Sequence, residues 1–183
     1  LLRQRGFTVT CVDSDAQHGG RTRGDILFEE VYRALLERAT NGEFLAIIAA
    51  PPCSTFSISR FMHSPASRDG GPPVVRTRED IDGLPSPPPA HARELRRANR
   101  IVRRMAYILG AAHGTGTQFI IENPADRGLG DELHVDDRHG PLWLVPIIRL
   151  LAATAATAQV TFAQCMFGAA FQKYTTFMYT PGF

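Results

Sequence analysis

A short apolar stretch at residues 44–53, which reads FLAIIAAPPC, decides the expected fold. Its first six residues form a continuous apolar run, too short for a helix and typical of a strand that is buried on both faces of a sheet. Pro51 and Pro52 stop the run, so Cys53 comes directly after a stiff turn. The stretch therefore predicts a buried strand with a cysteine at its carboxyl end.

Predicted strands and helices alternate along the rest of the chain. Short apolar or β-branched runs predict further strands over residues 7–12, 117–121, 158–165 and 173–179. Apolar residues at three- and four-residue spacing predict helices over residues 28–39, 91–112 and 142–153, the last interrupted at Pro146. This order predicts one α/β domain, residues 1–183, with an incomplete, doubly wound and mostly parallel sheet that is covered by helices on both faces. A segment rich in Gly, Pro and Ser, residues 57–90, is expected to be a long mobile loop.

The composition is that of an ordinary globular domain: 183 residues, 44% hydrophobic, 21% charged, with a formal net charge of +2. That balance permits a nucleic-acid partner without demanding one. The three cysteines form no CxxC pair, which argues against a zinc knuckle or a disulfide framework and indicates an intracellular location, in the cytoplasm, nucleoid or nucleus. Cys11 and Cys165 fall in predicted strands and are expected in the core. No apolar run approaches the roughly 20 residues that span a bilayer, so no membrane contact is expected.

Three acidic or nucleophilic side chains, Asp13, Cys53 and Glu122, follow predicted strands. Because the carboxyl ends of parallel strands meet at one edge of a sheet, we expect all three at that edge. A lone cysteine there is commonly just a small buried residue, and Glu122 with Asn123 could simply cap a turn. Together, a thiolate and a carboxylate on neighbouring strands suit addition to an unsaturated ring whose nitrogen must be protonated.

Several motifs resemble those of the cytosine-C5 DNA methyltransferases. Residues 52–57, PCSTFS, resemble the family's Pro-Cys-Gln-x-Phe-Ser nucleophile motif, and residues 122–124, ENP, are similar to its Glu-Asn-Val motif. Residues 24–26, GDI, resemble the family's Asp-Ile pair, and Asp13 sits where the family places an acid. The order of strand, Cys, long loop, helix, strand and Glu is also that of the family, and the resemblance covers nearly the whole chain.

The resemblance implies methyl transfer from S-adenosylmethionine to C5 of a cytosine flipped out of DNA, on a Rossmann-like methyltransferase fold. In that reaction Cys53 would add to C6 of the base. Glu122 would hold or protonate the ring N3, and Asn123 would orient the Pro-Cys turn.

The resemblance also implies binding residues for both substrates. The residues expected to contact S-adenosylmethionine are Asp13, Asp25, Ile26 and Pro52. Those expected to contact DNA are Ser57, Arg60, Gln172 and Lys173. A monomer is expected, and the scattered histidines suggest no metal site.

Three departures from the family pattern suggest a truncated or divergent member. The first strand and its Gly-rich donor loop are missing, because residues 1–6 already resemble the helix that follows them. Residues 172–176, QKYTT, stand where the family has Gln-x-Arg-x-Arg, and Lys173 would face the other side of a regular strand. Ser54 replaces the motif glutamine, and no target-recognition region follows Phe183.

Other functions stay open. A catalytically degenerate module that binds DNA or a protein is the main alternative. An amidohydrolase would need a histidine near the thiolate, and His63 is the closest in sequence. Adenine-N6 methylation would need an Asn/Asp-Pro-Pro-Tyr/Phe motif, and residues 50–53, APPC, lack its amide and its aromatic residue.

One predicted helix is strongly basic. Its arginines at 93, 96, 97, 100 and 104 lie at helical spacing, so they could follow the phosphates of a nucleic acid or form a solvated outer face.

Overall fold

An open four-stranded sheet with three α-helices forms the framework of the chain. The computed structural model describes residues 2–15, 24–62, 72–128, 130, 132–170 and 172–183. The strands are β1 (Ala46–Ala49), β2 (Gln118–Pro124), β3 (Ala158–Ala163) and β4 (Tyr174–Tyr179). The α-helices are α1 (Glu29–Thr40), α2 (Pro89–Gly114) and α3 (Pro146–Thr154). Short 3-10 helices cover Arg3–Arg5, Ile58–Arg60, Leu142–Leu144 and Gln164–Phe167.

The strand order is β1-β2-β4-β3. β1 and β2 are parallel, with Ala49 opposite Ile121, whereas β4 is antiparallel to both β2 and β3. Three strands therefore run in one direction and β4 runs against them. This confirms the predicted α/β class and the open sheet, although only the β1–β2 pairing is parallel.

The helices form where the apolar spacing predicts them. α2 begins with Pro89 in its first turn, where the fixed proline φ suits a helix and no backbone N–H is needed. α3 begins in the same way at Pro146, which confirms the predicted interruption there. One side of α2 packs against α3 and against the sheet residues Phe119 and Ile121, both fully buried.

The helices cover one face of the sheet only. Phe119, Ile121 and Met178 point into the core beneath α2 and α3, and α1 packs against α2. On the opposite face Ile48 is 65% exposed and Val160 is 45% exposed. The predictions that β1 is buried on both faces and that helices cover both faces are therefore wrong for the described residues.

Two further expectations near the N-terminus and in β3 are wrong. Residues 7–12 form no strand, because they pair with no neighbour among the described residues and an extended chain needs such a neighbour to satisfy its backbone groups. Cys11, in this segment, and Cys165, just after β3, are both exposed instead of lying in the core.

The segment 57–90 contains buried structure. Residues 63–71 lie outside the described residues, but Val75 and Arg76 are almost completely buried, and Arg76 packs on Phe56 in the turn that follows β1.

No helix in the described parts of the chain is long and apolar enough to cross a membrane.

Candidate active site

Cys53 follows β1, and Glu122 lies near the carboxyl end of β2, the parallel neighbour of β1, which extends to Pro124 instead of ending at residue 121. Cys53 lies four residues beyond the end of β1 and is half-buried. Ala49 of β1 is opposite Ile121 of β2, so Glu122 comes one residue beyond that pair. Both therefore stand at the same edge of the sheet, and 23% of the Glu122 side chain is exposed.

Residues 51–56 form a turn after β1, which we call the Cys53 turn. Asn123 connects this turn to β2. Its Nδ2 donates a hydrogen bond to the Pro51 carbonyl oxygen at 3.1 Å, and the residue is fully buried. The arrangement matches the positioning role expected for Asn123. Its Oδ1 is buried without a hydrogen-bond partner among the described residues.

Lys173 reaches the carboxylate of Glu122. Its Nζ lies 3.2 Å from Glu122 Oε1. Glu122 is opposite Phe177 in the β2–β4 pairing, and Lys173 comes four residues before Phe177. The alternation of a strand therefore places Lys173 on the same face as Glu122, opposite to the face of positions 174 and 176. It is the only lysine in the sequence, among 20 basic residues.

An ion pair holds the residue that follows the candidate nucleophile. Arg60 Nε donates to the Ser54 carbonyl oxygen at 2.6 Å, and Arg60 Nη2 lies 2.9 Å from both carboxylate oxygens of Glu94. Ser54 Oγ donates to the same carboxylate at 2.6 Å. Burial would raise the pKa of Glu94, but these hydrogen bonds and one from His91 outweigh it and lower the pKa.

Arg60 is 5% exposed, and its guanidinium is bound within the protein. Its expected contact with DNA stays a prediction. In the structure, Arg60 holds the Cys53 turn through its hydrogen bond to the Ser54 carbonyl oxygen.

Arg76, which the sequence did not single out, supports the same turn from below. It is 2% exposed, and its Nη2 donates to Thr55 Oγ1 and to Asn99 Oδ1, each at 2.9 Å. Its guanidinium carbon lies 3.8 Å from the centre of the Phe56 ring, a cation–π contact. Burial lowers the pKa of Arg76 to about 10, so it still carries its charge at neutral pH.

His139 fixes the end of the turn. It is fully buried, and the Arg127 backbone N–H donates to its Nδ1 at 3.0 Å. The ring proton therefore belongs on Nε2, which donates to the Phe56 carbonyl oxygen at 2.9 Å. His139 is thus a structural residue. Both of its ring nitrogens are hydrogen-bonded to the backbone, so neither is free to act as a base for Cys53.

The residues expected to contact S-adenosylmethionine do not form a donor pocket within the described ranges. Asp25 is 9% exposed, and its carboxylate accepts from the Leu27 backbone N–H at 2.9 Å and from Arg97 at 3.2 Å. The Ile26 carbonyl oxygen accepts from Arg104 at 2.8 Å. Asp13 accepts from the backbone N–H two residues later.

A cavity of about 480 Å³ lies beside these residues, with Val12 and Gly24 in its wall, but neither Asp13 nor Asp25 lines it. The residues present therefore do not fit the donor on their own.

The remaining predicted contacts lie at the surface. Pro52 is exposed. Ser57 caps the short helix Ile58–Arg60 by accepting from the Ser59 backbone N–H at 3.2 Å. Gln172 donates to the Tyr174 hydroxyl at 2.7 Å. The expected binding roles of these three residues stay predictions.

The described residues contain no group of three or more His, Cys, Asp or Glu side chains arranged to hold a metal ion. Comparison of the chain with protein-family models, with curated proteins and with solved structures found no match.

The substitution Asn123→Ala should loosen the Cys53 turn. It leaves the Pro51 carbonyl without its donor, at a cost of about 1–3 kcal/mol, so the turn should open roughly ten- to a hundredfold more often. The backbone N–H of Phe56, which donates to the Cys53 carbonyl at 2.9 Å, should then exchange with deuterium faster by a similar factor. Peptide mass spectrometry measures this, and Asn41→Ala, at the exposed end of α1, serves as the control. Equal exchange in Asn123→Ala and the control would contradict the role of Asn123.

Asp126, just after β2, should make folding sensitive to acid. Burial would raise its pKa, but two hydrogen bonds from Arg78, at 2.8 and 2.9 Å, and one from the Gly128 backbone N–H outweigh burial and hold the pKa well below its usual range. Because the folded-state pKa is below that of the unfolded chain, this stabilisation is fully present above about pH 4 and is lost as the pH falls through the folded-state value.

Urea denaturation tests this behaviour. Between about pH 6 and about pH 3, the free energy of unfolding should fall by about 1 kcal/mol more in the wild type than in Asp126→Asn. Glu37→Gln, which alters an exposed carboxylate on α1, should show the wild-type loss. An equal loss in wild type and Asp126→Asn would exclude the proposed contribution of Asp126.

Proposed function

We propose that this chain carries the base-attacking half of a site that methylates C5 of cytosine in DNA. The main supporting observation is that Cys53 follows β1 while Glu122 lies near the carboxyl end of the adjacent parallel strand β2, with Asn123 bound to the Cys53 turn. The motifs at residues 52–57 and 122–124 favour a cytosine ring as the substrate.

The chain's own residues account for the covalent step. The Cys53 thiolate forms a bond to C6 of the base, and the electron pair of the C5–C6 double bond shifts towards C4 and N3. Glu122 supplies or shares the proton that N3 then takes up. The resulting enamine is nucleophilic at C5. Addition of an electrophile at C5, loss of the C5 proton and departure of the thiolate restore the aromatic ring.

The expected methyl donor is S-adenosylmethionine. Since Asp13, Asp25 and Ile26 do not form a pocket for it by themselves, the covalent step is the part of the reaction that the described residues support.

Lys173 gives Glu122 a fixed cationic partner. Because the Lys173 ammonium lies on one carboxylate oxygen, the other oxygen stays available to the base. Lys173 thus takes the place of the motif arginines that the sequence lacks.

A second candidate is a module that binds DNA without turnover. The internal partners of Asp25 and Ile26 favour it, because those polar groups are already satisfied without a donor.

The covalent step can be tested without any methyl donor. Addition at C6 makes C5 basic, so an active thiolate should exchange the C5 hydrogen of cytosine with solvent. We expect duplex DNA deuterated at C5 of cytosine to lose its label in the presence of the wild-type protein. Cys53→Ala should abolish the loss, Glu122→Gln should slow it by about a hundredfold or more, and Cys165→Ala, at an exposed cysteine, should leave it unchanged.

Incubation with S-adenosylmethionine and DNA that contains 5-fluorocytosine then tests methyl transfer. Fluorine cannot leave as a proton does, so a denaturant-resistant adduct at Cys53 is expected if the donor also binds. Exchange without an adduct would restrict the activity to the covalent step. Absence of both would reject the enzyme in favour of the binding module.

Lys173 variants should separate charge from packing. Lys173→Met should slow C5 hydrogen exchange about tenfold or more, because Glu122 loses a charged hydrogen bond worth about 1.5–3 kcal/mol. Lys173→Arg keeps the charge and should recover much of the rate. A Lys173→Arg protein as slow as Lys173→Met would show that the charge is not what Glu122 needs.

A further inference from the structure

Four exposed arginines lie along one side of α2: Arg93, Arg96, Arg100 and Arg103. They are spaced three, four and three residues apart, so they follow one line on the helix, and we call them the arginine stripe. None of the four has a hydrogen-bond or ion-pair partner among the residues that the structure describes.

The structure divides the basic residues of α2 into two groups. Arg97 binds Asp25 at 3.2 Å, and Arg104 binds the Ile26 carbonyl at 2.8 Å and lies over the Tyr32 ring. These two arginines hold the segment before α1 against α2. The arginines of the stripe make no such contacts with the described residues.

The stripe also differs from an ordinary solvated helix face. On α1 the surface arginines are paired, Arg33 with Glu29 and Arg38 with Glu43, each at 2.9 Å. The only carboxylate in α2 is Glu94, which is bound to Ser54 and Arg60. Four unbalanced positive charges are thus concentrated on one line of a chain whose formal net charge is only +2.

The length of the stripe suits a nucleic-acid backbone. At about 1.5 Å of rise per residue, its ends are about 15 Å apart along the helix. Consecutive phosphates of one B-DNA strand rise roughly 3.4 Å along the duplex axis but lie about twice as far apart in space, so the stripe is long enough to face about two or three of them. Arginine side chains bind phosphate oxygens through two parallel N–H groups.

We propose that the arginine stripe binds the phosphate backbone of duplex DNA. The stripe begins at Arg93, next to Glu94, whose carboxylate accepts from Ser54 beside Cys53. It therefore starts close to the candidate active site and continues down α2. This proposal rests on the proposed function only in taking the bound duplex to be the substrate of Cys53.

An anionic membrane is the less suitable partner. A helix that lies on a bilayer inserts large apolar side chains beside its basic ones. The only large hydrophobic residue of α2 that is prominently exposed is Tyr107, at 52%, beyond the end of the stripe. Nothing along the stripe itself would enter the lipid.

Fluorescence anisotropy with a labelled duplex of about 20 base pairs tests the proposal. The variant Arg96→Gln/Arg100→Gln removes the middle of the stripe, and Arg5→Gln/Arg149→Gln removes the same charge from exposed sites elsewhere. Using Cys53→Ala as the background for all of them keeps chemistry out of the binding measurement. We expect the stripe variant to bind about tenfold or more weakly and to lower the slope of log K against log salt by about 1.8, whereas the control stays within about twofold of its parent.

Three results would overturn the proposal: unchanged binding in the stripe variant, equal weakening in both double variants, or stripe-dependent binding that is tighter to duplex RNA or to phosphatidylserine vesicles than to DNA. The two proposals can fail separately. Loss of duplex affinity in the stripe variant, with no C5 hydrogen exchange by the wild type, would retain the DNA-binding surface and reject the covalent step. C5 hydrogen exchange with unchanged affinity would retain the covalent step and reject the surface.

Discussion

The buried guanidinium of Arg76 is the contact on which the candidate site most depends. It binds Thr55 in the Cys53 turn, Asn99 in α2 and the Ile81 carbonyl in the segment between them. Its hydrogen-bond acceptors are neutral, and the charge is stabilised by these dipoles, by the Phe56 ring and by the nearby carboxylates of Asp82 and Glu94. A buried charge of this kind is costly unless its surroundings are fixed. The Cys53 turn is therefore held in place by contacts with Arg76, which lies outside the turn.

The parts of the site that the sequence predicted are those set by local pattern. The apolar run before Cys53 and the run before Glu122 identify two strands, and the parallel β1–β2 pairing places their ends together. The roles of Arg76 and Glu94 could not be predicted from local pattern. Arg76 contacts Thr55 across 21 positions, and Glu94 contacts Ser54 across 40 positions. No periodic signal marks such pairs in a loop rich in Gly and Pro. The only local hint was that Glu94 is the one carboxylate in a basic helix.

Where local pattern gave the wrong answer, the missing information was a neighbour. Residues 7–12 have the composition of a strand, but a strand is stable only when its backbone groups are paired. β1 has the composition of a fully buried strand, yet Ile48 is on the open face of the sheet. The contact of Lys173 with Glu122 was missed because it depends on the β2–β4 register, which places Glu122 opposite Phe177.

The strand order has a consequence for how the chain reaches its final state. β4 lies between β2 and β3, although it comes after both of them in the chain. β3 has no place in the sheet until β4 is available, because β4 is its only partner among the described strands. Until then the β2 edge that carries Glu122 is unpaired, and pairing there requires closure of a long loop, which is slow. Glu122 therefore gains its ion pair with Lys173 only after this slow loop closure has brought β4 to β2.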